Sequence, residues 1–168
     1  WDTANTRSRF FSYRIYRKQK GDSAFRYLDS IPNFDTTTWT DPSVTATDSI
    51  AYDYYIKTEN QCATLSSASS TFRSVVLSDS AISDKKLQLK WTSSNTVCFA
   101  STYEVLYKAD STFNVDTSFS FDTSYTRTAC ENDGEFRIRL IDSSSSDTVL
   151  SNTIDPNVRD TTPAPAAL

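Results

Sequence analysis

Glu135-Phe136-Arg137-Ile138-Arg139-Leu140-Ile141 sets Phe136, Ile138 and Leu140 against Arg137 and Arg139 in strict alternation. A period of two is that of a β-strand, whose successive side chains point to opposite faces, one buried and one in water. The pattern recurs at Leu87-Gln-Leu-Lys-Trp91, where Leu87, Leu89 and Trp91 alternate with Gln88 and Lys90, and at Tyr13-Arg-Ile-Tyr16. Stretches between such runs, among them Asp41-Pro-Ser43 and Asp142-Ser-Ser-Ser-Ser-Asp147, are turn material. Short strands about 8–12 residues apart predict an all-β sandwich. No segment has the period of an amphipathic helix, and only Asp79 to Lys86 leaves room for a helical turn.

The 168 residues suffice for one medium domain or two small ones. Serine and threonine number 26 and 23, and aromatic residues 22. That mixture suits pleated, half-buried strands and argues against wholesale disorder. Lysine plus arginine is 17 against 21 acidic residues, a net charge of -4, which argues against a nucleic-acid partner. There is no histidine, so Ser-His-Asp and Cys-His catalysis, histidine-ligated zinc and haem are excluded. The only glycines, Gly21 and Gly134, cannot form a glycine-rich phosphate loop. No cofactor and no metal site is expected. No apolar run approaches the ~20 residues of a membrane helix, so no transmembrane segment is expected. Trp1 is not a methionine and no signal segment follows it, while Asp160-Thr-Thr-Pro-Ala-Pro-Ala-Ala-Leu168 has a linker's composition. The chain therefore reads as a piece of a longer protein.

The chain runs through one plan twice. The first pass holds Trp1, Phe11-Ser-Tyr-Arg-Ile-Tyr-Arg17, Phe25-Arg-Tyr-Leu28, Thr38-Trp-Thr-Asp41, Ala51-Tyr-Asp-Tyr-Tyr-Ile-Lys-Thr58 and Ser69-Ser-Thr-Phe-Arg-Ser-Val-Val-Leu77. The second holds Leu87 to Trp91, Thr102-Tyr-Glu-Val-Leu-Tyr-Lys108, Phe119-Ser-Phe121, Ser124-Tyr-Thr-Arg127, Glu135 to Ile141 and Val149-Leu-Ser-Asn-Thr-Ile154. Trp1 to Trp91 and Tyr13 to Tyr103 share an offset of 90, Trp39 to Tyr125 is 86, and Ser69 to Ser151 is 82. A drifting offset is what a repeated small sandwich with variable loops produces.

The motif order resembles the fibronectin type III sandwich: a tryptophan on the second strand, a Tyr-x-Ile/Val strand next, an aromatic-rich strand, then a Ser-Asn strand. More narrowly, Tyr13-Arg-Ile-Tyr-Arg17, Trp39-Thr-Asp41, Tyr54-Tyr-Ile-Lys-Thr-Glu-Asn-Gln-Cys62 and Ser66-Ser-Ala-Ser69 resemble modules of Bacteroidota cell-surface and gliding motility-associated proteins, exported by the type 9 secretion route. The resemblance implies two tandem immunoglobulin-like (fibronectin type III) sandwiches. Residues 1–77 form the first, which lacks its opening strand, residues 78–157 the second, and residues 158–168 a Pro/Ala linker to a further domain. The missing strand is expected upstream, or its edge is covered by a partner. Tyr125-Thr-Arg127 departs from the Trp-Thr-Asp turn of the first copy, and Cys130 lies before Phe136.

Three cysteines allow one disulfide with a thiol left over, or none. In the topology implied by the resemblance, Cys62 and Cys98 fall at N-terminal ends of their own modules and Cys130 at the opposite end. A bridge needs Cα atoms within about 7 Å, so no intrachain disulfide is expected.

Asp followed by Ser or Thr and then Ala, Ile, Leu, Val, Met or Thr resembles the O-glycosylation motif of exported Bacteroidota proteins. It marks Thr3, Ser23, Ser30, Thr36, Ser49, Ser80, Ser111, Thr148 and Thr161. The same pairs also read as ordinary turn residues.

No catalytic residue is expected. Glycosidase chemistry needs two carboxylates across a cleft, and here the acidic residues scatter through turns. Arg14, Arg17, Lys18 and Lys20 either bind an anion or form a solvated strand face. Tyr52, Tyr54 and Tyr55 either stack on sugar rings or divide between a buried and a partly exposed face. The leading expectation is a non-catalytic structural or adhesive module of a larger secreted or cell-surface protein, outer-membrane associated. The alternative is a carbohydrate- or ligand-binding accessory module of a secreted hydrolase. The partners implied are further domains of the same chain, outer-membrane secretion or surface proteins, or glycans.

Overall fold

The structure is a computed structural model and describes residues 7–44, 50–83, 86–93, 101–108, 110–128, 134–142 and 148–156. The chain separates into two compact units, with the division between Ser74 and Val75. Every regular element described is a strand, apart from a single 3-10 turn at Arg7–Arg9.

The first unit is built on β1 (Phe10–Gln19), flanked by β2 (Arg26–Ile31) and β3 (Tyr52–Asn60), with short β4 (Phe72–Arg73) on β3. The order is β2-β1-β3-β4, all antiparallel. Register sets Tyr13 opposite Ile31 and Thr58, Ile15 opposite Ile56, and Arg17 opposite Tyr54. Directly opposed residues share a face. Tyr13, Ile15 and Ile31 therefore form a buried core on one side, with Phe10, Trp39, Tyr54 and Ile56 packed against it. The β1–β2 turn passes through Gly21 at φ +101, a conformation other residues adopt only with strain. After β3 the chain returns alongside it, for the most part outside the short β4 ladder. There Ser66, Ser69 and Ser74 each donate a backbone amide to β3, and each hydroxyl accepts one back.

The second unit is a sandwich. β5 (Leu77–Ser83), β6 (Lys86–Trp91) and β9 (Ser124–Thr128) form one sheet, ordered β5-β6-β9. β7 (Ser101–Lys108), β8 (Asn114–Phe119), β10 (Glu135–Asp142) and β11 (Thr148–Leu150) form the other, ordered β11-β10-β7-β8. Leu87, Leu89 and Trp91 on one sheet pack with Tyr103, Val105, Phe136, Ile138 and Leu140 on the other. Phe136 and Ile138 are fully buried, and each such side chain contributes about 1.5–3 kcal/mol. Arg137 and Arg139 point the other way, to Thr153 and Glu104, so the alternation from Glu135 to Ile141 is used as read. Arg127 lies opposite Leu87 and reaches across the sandwich, its guanidinium 4.6 Å from the Tyr107 ring centre and 3.4 Å from Asp116. These sheets are those of the tandem immunoglobulin-like, fibronectin type III class.

Several expectations are corrected. The division falls three residues before the expected one after Leu77, because Val75 and Leu77 belong to the second core. Thr92 exchanges two hydrogen bonds with Val76, and the Asn152 side chain exchanges two with Leu77. The stretch Ser69 to Leu77 is therefore split between the units. Asp79 to Lys86 holds no helical turn where it is described, since Ser78, Asp79 and Ser80 lie inside β5. The sheet of the first unit matches β8-β7-β10-β11 of the second, and Thr38 to Asp41 lies outside any strand, in keeping with its reading as a turn. Trp1, expected on the second strand, lies outside the described residues, as does the linker 158–168. Among the described residues no helix is long and apolar enough to cross a membrane, which says nothing of strands.

Candidate functional site

The outer face of the first sheet carries Ser12, Arg14, Tyr16 and Lys18 of β1, because these alternate with the core residues Tyr13 and Ile15. Register brings Glu59, Lys57, Tyr55 and Asp53 of β3 onto the same face, and Tyr27 of β2 opposite Tyr16. The rings form a row across three strands. Tyr16 stacks on Tyr55 at 4.8 Å and 18°, and meets Tyr27 edge-on at 5.9 Å. Phe25 closes on Tyr55 at 4.6 Å. Cations border the row: Arg14 at 5.2 Å from Tyr27, Lys18 at 5.0 Å from Phe25, and Lys57 at 5.9 Å from both Tyr16 and Tyr55. Such contacts suit the negative faces of the rings.

The carboxylates of this face sit beneath their partners. Glu59 is buried and takes two bonds from Arg14, at 2.8 and 2.7 Å, and one from the Ser12 hydroxyl at 2.9 Å. The bond from Arg14 holds the Glu59 carboxyl below its usual range against the desolvation of burial, and Ser12 adds to this. The same bond raises the Arg14 guanidinium. Asp53, also buried, takes Arg73 at 2.7 and 3.2 Å, with Lys18 at 4.0 Å. Lys57 has no carboxylate partner among the described residues.

On the opposite face, Trp39-Thr-Asp41 clamps an irregular segment over the core. The Trp39 indole donates to Asp29 at 3.0 Å. Asp41 accepts from Arg17 at 2.6 Å, Tyr54 at 3.0 Å, and the amide and hydroxyl of Ser43. Burial alone would raise the Asp41 carboxyl, but the bonds from Ser43, Tyr54 and Arg17 hold it below its usual range. Burial first, then the Asp41 charge, pushes the Tyr54 phenol far up.

The candidate residues of the sequence separate accordingly. Tyr55 joins the outer row, while Tyr54 belongs to the clamp and Tyr52 stacks under Arg17 at 4.6 Å. Of the basic run, Arg14 and Lys18 face outward, Arg17 faces the clamp, and Lys20 lies in the β1–β2 turn. Tyr16, Phe25, Tyr27 and Lys57 were not singled out as site residues. Tyr16 after Arg14 and Lys57 after Tyr55, each two residues on, were the available signal. Ser23, Ser30, Ser80, Ser111 and Thr148 are exposed and Thr36 is half-buried. Thr3, Ser49 and Thr161 lie outside the described residues. Ser30, Ser80 and Thr148 sit in strands rather than turns. Cys62 is exposed in the loop after β3, and Cys98 and Cys130 lie outside the described residues. Among the described residues no group of three or more acidic or cysteine side chains could hold a metal ion.

No protein-family model and no curated protein matches the chain. Among solved structures it is similar to the FN1-FN3 domains of chicken CNTN1, at 18% identity and a TM-score of 0.39, over 90% of this chain and 55% of that one. It is likewise similar to a two-domain fibronectin type III segment of chicken tenascin, at 16% identity and a TM-score of 0.35, over 92% and 86% of the two chains. The chain thus spans about half the length of the CNTN1 fragment. The fold class rests on the strand orders given above.

Proposed function

We propose that the chain is a non-catalytic structural or adhesive module of a larger exported surface protein of the gliding motility-associated or adhesin type, secreted or held at the cell surface. The observation that carries this reading is the use of its buried acids. Asp53 and Glu59 are each buried and bound by an arginine, and a carboxylate engaged in this way serves as a structural tie rather than as a general acid. The resemblance to Bacteroidota surface modules supplies the context, with O-glycans at the nine Asp-Ser/Thr sites and type 9 export. Protease shaving of intact producing cells tests it. Peptides from both units should be released, with hexose on several of Ser23, Ser30, Ser80, Ser111 and Thr148. Recovery only from the cytoplasm, at the mass of the bare polypeptide, would refute it.

A second reading, a carbohydrate- or ligand-binding accessory module of a secreted hydrolase, is favoured by the row Tyr27, Tyr16, Tyr55 and Phe25.

A further inference from the structure

We infer that the outer face of the first sheet binds an acidic polysaccharide, with sugar rings against Tyr16, Tyr27 and Tyr55 and the ligand's carboxylate or sulfate groups at Lys57 and Arg14. The inference rests on the ligand-binding reading above and names its ligand and its site.

Charge placement comes first. The face carries four cations, Arg14, Lys18, Lys57 and Arg73, against two carboxylates, Asp53 and Glu59. The chain as a whole is net -4, so this face has the opposite sign to the rest of the molecule. Both carboxylates are buried, whereas the cations above them remain partly in water. An approaching ligand therefore meets positive charge. Lys57 lies 5.9 Å from the Tyr16 and Tyr55 ring centres and forms no ion pair among the described residues, so a ligand anion can pair with it without breaking one there.

The rings then choose among anions. They come one per strand from β2, β1 and β3, at ring-centre steps of 5.9 Å from Tyr27 to Tyr16 and 4.8 Å from Tyr16 to Tyr55. Steps of that kind suit a polymer of repeating rings. Tyr27, at one end of the row, keeps half its surface in water. Tyrosine offers an apolar ring for the sugar's C–H face and a hydroxyl for its polar rim.

The test is calorimetric titration of the full chain at low salt with polygalacturonate, with dextran and poly-glutamate as comparators. Polygalacturonate should bind, weaken as salt rises, and lose about fivefold in affinity in Lys57→Ala and again in Tyr27→Ala. Both side chains are surface groups, so circular dichroism should show both variants folded. Lys90→Ala, in the second unit, should change nothing. Equal binding of dextran at the same residues would overturn the preference for acid and leave the ligand-binding reading standing. Equal binding of poly-glutamate, indifferent to Tyr27→Ala, would show charge alone at work and overturn the inference. No binding of any of the three overturns both.

Discussion

The hydroxyl of Ser69 accepts the amide hydrogen of Ile56 at 3.0 Å, while the amide of Ser69 donates to the Ile56 carbonyl at 2.9 Å. A side-chain oxygen thus stands where a ladder carbonyl would be. Ser151 repeats the arrangement against Ile138, at 2.9 Å in both directions. Ser69 to Ser151 and Ile56 to Ile138 are both offsets of 82 residues, so the two copies use one device for the strand after their penultimate strand.

Ser69→Ala should cost about 1 kcal/mol and speed amide exchange at Ile56. Ser151→Ala should cost more, about 1–3 kcal/mol, because Ser151 and Ile138 are buried and the amide is left without water. Chemical denaturation with exchange measured by NMR checks both, and equal costs at the two sites would contradict the argument.

Acid should destabilise the first unit. Glu59 and Asp41 titrate lower in the folded chain than in the unfolded one. Their contribution is therefore complete above the unfolded values and is lost as pH falls through the folded ones. The loss begins below about pH 4.5, the ordinary value for Glu59. In Glu59→Gln this fall in stability on acidification should be shallower than in the parent chain, measured by denaturation at a series of pH values.

Asp41→Ala should release Arg17, Tyr54 and Ser43 together and cost about 3 kcal/mol. The Tyr54 phenol should then titrate lower than in the parent chain, since the charge and the hydrogen bond that help to raise it are gone. Alkaline difference absorbance reads the shift, and limited proteolysis should cut residues 36–44 faster.

Ile138→Ala should cost about 2–5 kcal/mol, because the site is fully enclosed between two sheets. Ile56→Ala, at the matching place in the first unit, should cost less, since Ile56 is only half-buried. Thermal unfolding of the two variants should show the larger drop for Ile138→Ala.

The alternation at Glu135 to Ile141, Leu87 to Trp91 and Tyr13 to Tyr16 was enough to declare strands and their buried faces. Side-chain parity along a strand is a local property of the extended backbone, readable wherever apolar and polar residues alternate. The repeat was legible for the same reason, since Tyr13 and Tyr103 occupy matching places in β1 and β7, and Ser69 and Ser151 stand in the same way against β3 and β10. The positions of Val75 to Leu77 and of Asp79 to Lys86 were not legible. Short runs such as these pair with whichever strand the rest of the chain presents, here β6 together with Thr92 and Asn152. The outer aromatic row was decided in the same way. Arg14 and Glu59 are 45 residues apart, and a register shift between Ile15 and Tyr16 sets Tyr27 against Tyr16. The sequence by itself determined which residues are strand and which side of each strand seeks the core. Only the tertiary structure decided which outward side chains become neighbours, because strand register joins residues far apart in the chain and no local pattern encodes it.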